Sequence, residues 1–259
     1  MSSAPPVVLS FAASDPTGGA GLQADVLTLA ALGCHPLSVL TAITVQDTSG
    51  IEGVLAVDRG WVEDQARRLL DDMPVAAFKL GVLGSVGNIE VIAEVVSDYA
   101  DVPLVLDPVL ASGRGDVLAS EEMVAALCER IVPHATVVTP NSIEARSLGG
   151  VERLLALGCD YVLVTGAHEA SAEVINTLYD RGGMVREDRW QRLPGSYHGS
   201  GCTLASAIAA ALANGLGVPA AVRDAQEYTW QALAGGFRPG AGQFLPDRFF
   251  WAREADEQK

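Results

Sequence analysis

Basic residues are what this 259-residue chain is short of: 17 Lys+Arg stand against 32 Asp+Glu, a net charge of −15. An acidic surface repels phosphodiester backbones and anionic lipid headgroups, which argues against nucleic acid or a membrane as partner. No basic segment opens the chain, and no apolar run reaches the ~18 residues of a membrane helix. Cysteine is sparse too. Cys34, Cys128, Cys159 and Cys202 include no C-x-x-C pair and read as free thiols of a reducing, cytoplasmic compartment. Two phosphate-binding signatures are missing: no glycine loop ends in G-K-[ST], and no G-x-G-x-x-G occurs. An anionic substrate would have to be met by backbone amides of a glycine loop or by a metal ion.

Apolar runs alternate with helical segments along the whole chain. A run at 7–12 leads into Ser14-Asp15-Pro16-Thr17-Gly18-Gly19-Ala20-Gly21 and a helix over 22–32. Further strands are expected at 37–45, 54–57, 76–80, 103–106, 135–138 and 161–164. Helices are expected at 61–70, 89–99, 121–131, from 139–144 onward, and at 151–157. Segments 173–179 and 184–190 flank Asp180-Arg181-Gly182-Gly183 and read as a β-hairpin. Helices at 204–213 and 220–233 follow. The strands are continuous apolar runs rather than alternating ones, as in a parallel sheet covered on both faces. No linker or internal repeat divides the chain. The expectation is a single α/β domain over 1–259: a doubly wound, mostly parallel sheet with a β-hairpin at one edge. Ligands of such folds bind beyond the carboxyl ends of the strands. Asp15, Gln46, Val82, Asp107, Asn141 and Thr165 each fall there.

The stretch Tyr197-His198-Gly199-Ser200-Gly201-Cys202-Thr203 stands just ahead of an alanine-rich helix. Two glycines allow a tight turn, and the helix start adds free N–H groups and a positive dipole end. Together they make a cradle for a phosphoryl group, in which Cys202 is expected to have a lowered thiol pKa. A plain glycine turn ahead of a core helix fits the same letters. Asn141 and Glu144 share one helix face and read equally as a capping pair.

Six motifs in order carry a family resemblance: Ser14-Asp15-Pro16-x-Gly18-Gly19-Ala20-Gly21-x-Gln23-Ala24-Asp25; Thr41-Ala42-x-x-x-Gln46-x-Thr48; Lys79-x-Gly81; Asp107-Pro108-Val109; Thr139-Pro140-Asn141-x-x-Glu144-Ala145; and His198-Gly199-Ser200-Gly201-Cys202-Thr203-Leu204. From about residue 7 to 251 the chain resembles the hydroxymethylpyrimidine/phosphomethylpyrimidine kinases, the thiamine-biosynthetic branch of the ribokinase-like superfamily. The resemblance implies ATP-dependent phosphorylation of 4-amino-5-hydroxymethyl-2-methylpyrimidine and then of its monophosphate, with Mg²⁺ and as a homodimer. It implies that the amides of Gly199, Ser200, Gly201 and Cys202 hold the phosphoryl oxygens. Cys202 takes the place of the aspartate base of most ribokinase relatives, either as a base or as part of the anion hole. Gln46, Asp25, Ala20, Val82 and Val109 match pyrimidine-pocket positions. Asp107, Asn141 and Glu144 match organisers of Mg²⁺, which is held mainly through phosphates and water.

Three departures stand out. Thr165-Gly166-Ala167-His168 has no lysine where the family often has Lys-Gly-Gly-His, the segment after Glu144 is short, and Val82 replaces a frequent Met. A pyridoxal kinase and a non-catalytic pyrimidine-phosphate sensor are the neighbouring readings. Residues 110–116 and the hairpin 173–190 are the expected mobile cover.

Overall fold

The computed structural model describes residues 4–111, 115–116 and 118–257. Its strands are β1 (Val7–Ser14), β2 (His35–Gln46), β3 (Ile51–Ala56), β4 (Ala77–Leu80), β5 (Leu104–Leu106), β6 (Val137–Val138), β7 (Tyr161–Val164), β8 (Glu173–Asp180) and β9 (Gly183–Gln191). Its helices are α1 (Gly21–Ala31), α2 (Arg59–Leu70), α3 (Val86–Ser97), α4 (Glu121–Ala126), α5 (Ser142–Ser147), α6 (Val151–Leu157), α7 (Ser200–Ala213), α8 (Val218–Ala234) and α9 (Phe250–Glu257). The helix expected over 121–131 leaves α geometry at Leu127 and finishes as a π-turn through Ile131.

The strands form one sheet in the order β3-β2-β1-β4-β5-β6-β7-β8-β9. Pairing from β2 through β7 is parallel. Strands β4, β5 and β6 are buried throughout, and β1 in all but its end residues, which is why they read as apolar runs without alternation, broken only by Ser10 and Lys79. Neighbouring residues point to opposite faces. Leu9, Phe11, Phe78, Leu80, Leu104 and Leu106 pack against α2, α3 and α6. Val8, Ala77, Val105 and Val137 pack against α7 and α8. Small side chains from Ala205 to Ala210 let α7 lie close to that face.

The hairpin β8–β9 is present but extends the sheet from β7 by antiparallel pairing. Its polar residues are tied to α8: Asn176 and Trp190 donate to Gln226 Oε1, and Gln226 donates to Asp188. That network makes the hairpin a fixed edge rather than a cover. Of the other expected cover, residues 112–114 lie outside the described residues. The opposite edge holds a second antiparallel pair, β2–β3, turning at Asp47–Gly50. The turn is latched to the C-terminal loop, where Gly242 and Gln243 N–H groups donate to Thr48.

Strand order reverses at β1: β2 lies on one side and β4 on the other. A crevice opens at such a switch point, beyond the carboxyl ends of the strands.

Candidate active site

Consecutive strand ends set out the site in a row. Asp15 follows β1, Val82 follows β4, Asp107 follows β5, Asn141 follows β6 and Thr165 follows β7. Gln46 closes β2 on the far side of β1. Helix α7 starts beside β5: a Cβ added at Gly201 would stand 3.7 Å from Asp107 Oδ2. The row therefore has a β2/β1/β4 half, a β6/β7 half, and Asp107 with the α7 N-terminus between them.

The first half is built on Asp15. Its Oδ2 accepts from Ala20 N–H at 2.7 Å and from the Thr17 hydroxyl at 2.9 Å, and Oδ1 accepts from Thr17 N–H at 2.9 Å. Burial works against the Asp15 charge, but these bonds and His198 hold its pKa below the ordinary value. His198 Nε2 lies 2.8 Å from Asp15 Oδ2 and 2.7 Å from the Gln46 amide. One ring nitrogen carries either a proton or a lone pair. The Gln46 nitrogen stands at that contact; with the Nε2 proton shared with Asp15, a consistent network exchanges the amide's oxygen and nitrogen and turns its NH₂ away from His198. Amide oxygen and nitrogen are assigned from such networks. Ala20, Val82 and Val109 are half-buried along this wall.

The centre is the turn into α7. Gly199 caps the helix in a left-handed conformation, φ 82°. A Cβ there would fall 1.8 Å from the Gly19 carbonyl, so the turn fits only glycine. Cys202 is half-buried, and it lies close enough to Asp107 for each to shift the other's pKa. The expected lowering of the thiol pKa is reversed. Burial, with Asp107 and Asp25 nearby, pushes Cys202 up to about 12, and Lys79 offsets only part of this. Burial likewise raises Asp107 to about 6 despite Lys79.

In the other half, Asn141 and Glu144 form a full capping box. Asn141 Oδ1 accepts from the N–H groups of Ile143 and Glu144, and Glu144 Oε2 accepts from Asn141 N–H at 2.9 Å. Glu144 Oε1 also holds Leu110 N–H at 3.3 Å, fixing the segment after Asp107. Burial and the charge of Asp107 raise Glu144 to about 7. Thr165 bridges to Asn141, and Gly166 N–H donates to Asn176 Oδ1 at 3.0 Å.

Asp25 departs from its expected place on the pocket wall. It has no exposed surface and lies beneath the site. Its carboxylate takes Lys79 Nζ at 2.8 Å, the Ser10 hydroxyl at 2.5 Å and the Ser206 hydroxyl at 2.8 Å. Lys79 is fully buried, and with Lys259 it makes up the chain's lysines. Burial works against its charge, but Asp25, Cys202 and Asp107 outweigh it and hold the ammonium above its ordinary pKa. A lysine inside a doubly buried strand was the available signal for this role. Arg248 also comes in, from the C-terminal segment, and donates to Gly19 O at 2.6 Å. Its sequence surroundings carry no such signal.

A glycine turn at a helix start, set beside Asp107 between the Asp15–Gln46 half and the Glu144 half, is an arrangement suited to phosphoryl transfer. The comparisons agree. Residues 15–247 match the phosphomethylpyrimidine kinase family. The hydroxymethylpyrimidine/phosphomethylpyrimidine kinase of Streptomyces coelicolor is 41% identical over 254 residues, covering 92% of each chain. A Clostridium difficile phosphomethylpyrimidine kinase structure superimposes with a TM-score of 0.77 at 32% identity, covering 88% of this chain and 99% of that one. An ADP complex of Bacillus subtilis pyridoxal kinase gives 0.86 at 29% identity, covering 96% and 99%. The fold is ribokinase-like. The chain belongs to the hydroxymethylpyrimidine/phosphomethylpyrimidine kinase family. It phosphorylates hydroxymethylpyrimidine and its phosphate with ATP.

Proposed function

We propose that the whole chain acts as one kinase domain of thiamine biosynthesis, with the pyrimidine in the β2/β1/β4 half and the nucleotide over β6 and β7. The observation that carries this assignment is the Gly199 turn, which seats the α7 N-terminus against Asp107 between the two halves. The amides of Gly199, Ser200, Gly201 and Cys202 hold the transferring phosphoryl oxygens there. Such fixed donors stabilise developing charge without reorganising. Gln46, oriented by His198 and Asp15, donates to the ring, while Ala20, Val82 and Val109 wall it in. Asp25 acts from below, through Lys79. Thr165 and Asn141 shape the floor of the nucleotide half.

A Mg²⁺ fits this chain in a limited way. Asp107 Oδ2 is buried and has no hydrogen-bond partner among the described residues, and Glu144 is close enough to feel the charge of Asp107. No cluster of three or more His, Cys, Asp or Glu groups suits a metal among those residues. Asp107 and Glu144 would therefore hold the ion from one side, with phosphates and water completing its shell. When bound, it neutralises phosphate charge. The protein's own groups align the alcohol, keep the cradle rigid and exclude water.

Cys202 at about 12 carries a negligible thiolate fraction near neutral pH, so its role is to complete the cradle beside Asp107. Replacing it by alanine is expected to lower kcat by about 10²-fold while the pyrimidine KM moves less than about threefold. Serine, which keeps a donor, is expected to stay within about tenfold of wild type. A Cys202→Ser variant as inactive as Cys202→Ala would instead make the thiolate a base. In the same assay, Gln46→Leu should raise the pyrimidine KM by about 10-fold or more with little change in kcat, because a buried ring acceptor loses its donor. ADP release with the pyrimidine and Mg²⁺ measures all three.

The fold likeness to pyridoxal kinase at a TM-score of 0.86 supports a second reading, a side activity on pyridoxal. Side-by-side turnover of the two alcohols tests it. A cytoplasmic setting is supported by four free cysteines, and none of the described helices is long and apolar enough to cross a membrane. A homodimer is supported by exposed Ile43, Val45 and Leu55 on the β2–β3 pair, an apolar patch of the kind a second copy covers.

A further inference from the structure

Arg248 is 4% exposed, yet no carboxylate lies within ion-pair distance of its guanidinium among the described residues. Its neighbour Asp247 is taken by Arg253 at 2.7 Å. Lys79, the other buried cation among the described residues, has Asp25 as its partner. Among the described residues, all the acceptors of Arg248 are neutral. Nη2 donates to Gly19 O at 2.6 Å, Nη1 to Gly18 O at 3.3 Å and Nε to Thr203 Oγ1 at 3.2 Å. Burial opposes its charge and lowers its pKa, while Cys202, Tyr228, Asp25 and Asp15 pull the other way. A buried charge without an ion-pair partner is costly unless something else compensates it.

The three bonds tie two parts of the site together. The Gly18 and Gly19 carbonyls belong to the loop that carries Asp15 and Ala20. Thr203 lies in the first turn of α7, and its hydroxyl donates to Gly199 O at 2.8 Å. Arg248 therefore reaches the cap of the cradle through one hydroxyl. Its own position is fixed by the Tyr228 hydroxyl, which donates to Arg248 O at 2.9 Å, and by Asp247 N–H, which donates to Ala232 O. A planar fork held this way keeps its charge at one place behind the glycine turn.

We infer that Arg248 is a positioning residue that locks the substrate loop to the phosphoryl cradle and supplies a fixed positive charge, free of any ion-pair partner among the described residues, that favours the anionic monophosphate over the neutral alcohol. The inference rests on the cradle assignment proposed above. The alcohol brings no charge to the site, whereas the monophosphate brings close to two negative ones near neutral pH. A fixed cation behind the cradle therefore acts more on the second substrate than on the first. In an acidic protein with threonine at position 165, this charge takes on added weight.

The test is kcat/KM for both substrates in Arg248→Gln and Arg248→Lys, with thermal melts of each. Gln keeps one donor and loses the charge, and is expected to lose about 10-fold on the alcohol and about 100-fold on the monophosphate. Lys keeps the charge and loses the fork. It is expected to raise the alcohol KM by about 10-fold and to leave the ratio of the two kcat/KM values within about twofold of wild type. Equal losses on the two substrates in Arg248→Gln would overturn the inference, as would an unchanged alcohol KM in Arg248→Lys. If Arg248→Gln does not fold, the Lys variant still decides the positioning half. Cys202→Ala run alongside separates the two failures, since wild-type turnover there sinks the cradle assignment rather than the role of Arg248.

Discussion

A Gly199→Ala enzyme is expected to lose at least about 10³-fold in kcat while remaining folded. The reason is geometric. Gly199 has φ 82° and the Cβ of alanine would sit 1.8 Å from the Gly19 carbonyl oxygen and 2.7 Å from its carbon. Those are backbone atoms, so no side chain can swing aside. An L-residue in the left-handed region adds about 1–2 kcal/mol of its own. Either the α7 entry or the Asp15–Ala20 loop has to move. Movement of the first turns the amides of residues 200–202 off the phosphoryl oxygens, and movement of the second shifts the pyrimidine wall. Catalysis that depends on fixed donors is sensitive to displacements of about 1 Å. Gly215→Ala is the matched control. It has φ 88° with nothing within 4 Å, at the far end of α7, so it shares the strain without the clash. Its turnover should stay close to wild type while its melting temperature falls. Near wild-type kcat in Gly199→Ala would remove the turn from the phosphoryl site.

The contrast between these two glycines shows what the chain's letters reveal. G-S-G-C ahead of an alanine run announces a turn and a helix start, because those rest on neighbours in sequence. Gly19, 180 residues earlier, is what makes Gly199 irreplaceable. The central strands are legible for a similar local reason: burial on both faces leaves a mostly apolar, non-alternating signature in β1, β4 and β5, interrupted only by Ser10 and Lys79. Strand β3 was half read. Its burial pattern is mostly exposed and it contains Gly53, so the strand signal survives only at its C-terminal end. The direction of the Cys202 shift was misread for the same kind of reason. A helix start lowers a thiol pKa, but the burial of Cys202, and its approach to Asp107 after β5 and Asp25 of α1, arise only in the folded chain. Asp25 itself read as a pocket residue, since the motif places it next to the loop. Only the packing of α1 against β1 and α7, beside β4, brings Ser10, Ser206 and Lys79 around it. Arg248 was out of reach, because its partners lie about 45 and 230 residues away.

Lys79→Met should be the most destabilising single change in the site, costing about 3–5 kcal/mol, as breaking a buried pair does. Met matches the apolar stem of lysine, so the loss is electrostatic. It strands Asp25 at zero exposure with two serine hydroxyls in place of an ammonium. It also removes the cation that partly offsets burial at Asp107 and Cys202. The Asp107 pKa then rises further above about 6, and less of it is ionised at neutral pH. The double variant Lys79→Met/Asp25→Leu separates the two consequences. Replacing a buried pair by apolar groups is often close to neutral, although Ser10 and Ser206 here lose an acceptor. The double variant should therefore unfold in urea at a higher midpoint than Lys79→Met alone, with a coupling of about 2 kcal/mol or more. Its turnover should not recover, because the charge beneath Asp107 is still missing. Additive losses in the cycle would mean that Lys79 and Asp25 are stabilised independently. Recovery of turnover along with stability would mean that the pair only holds the fold and that the field of Lys79 has no part in phosphoryl transfer.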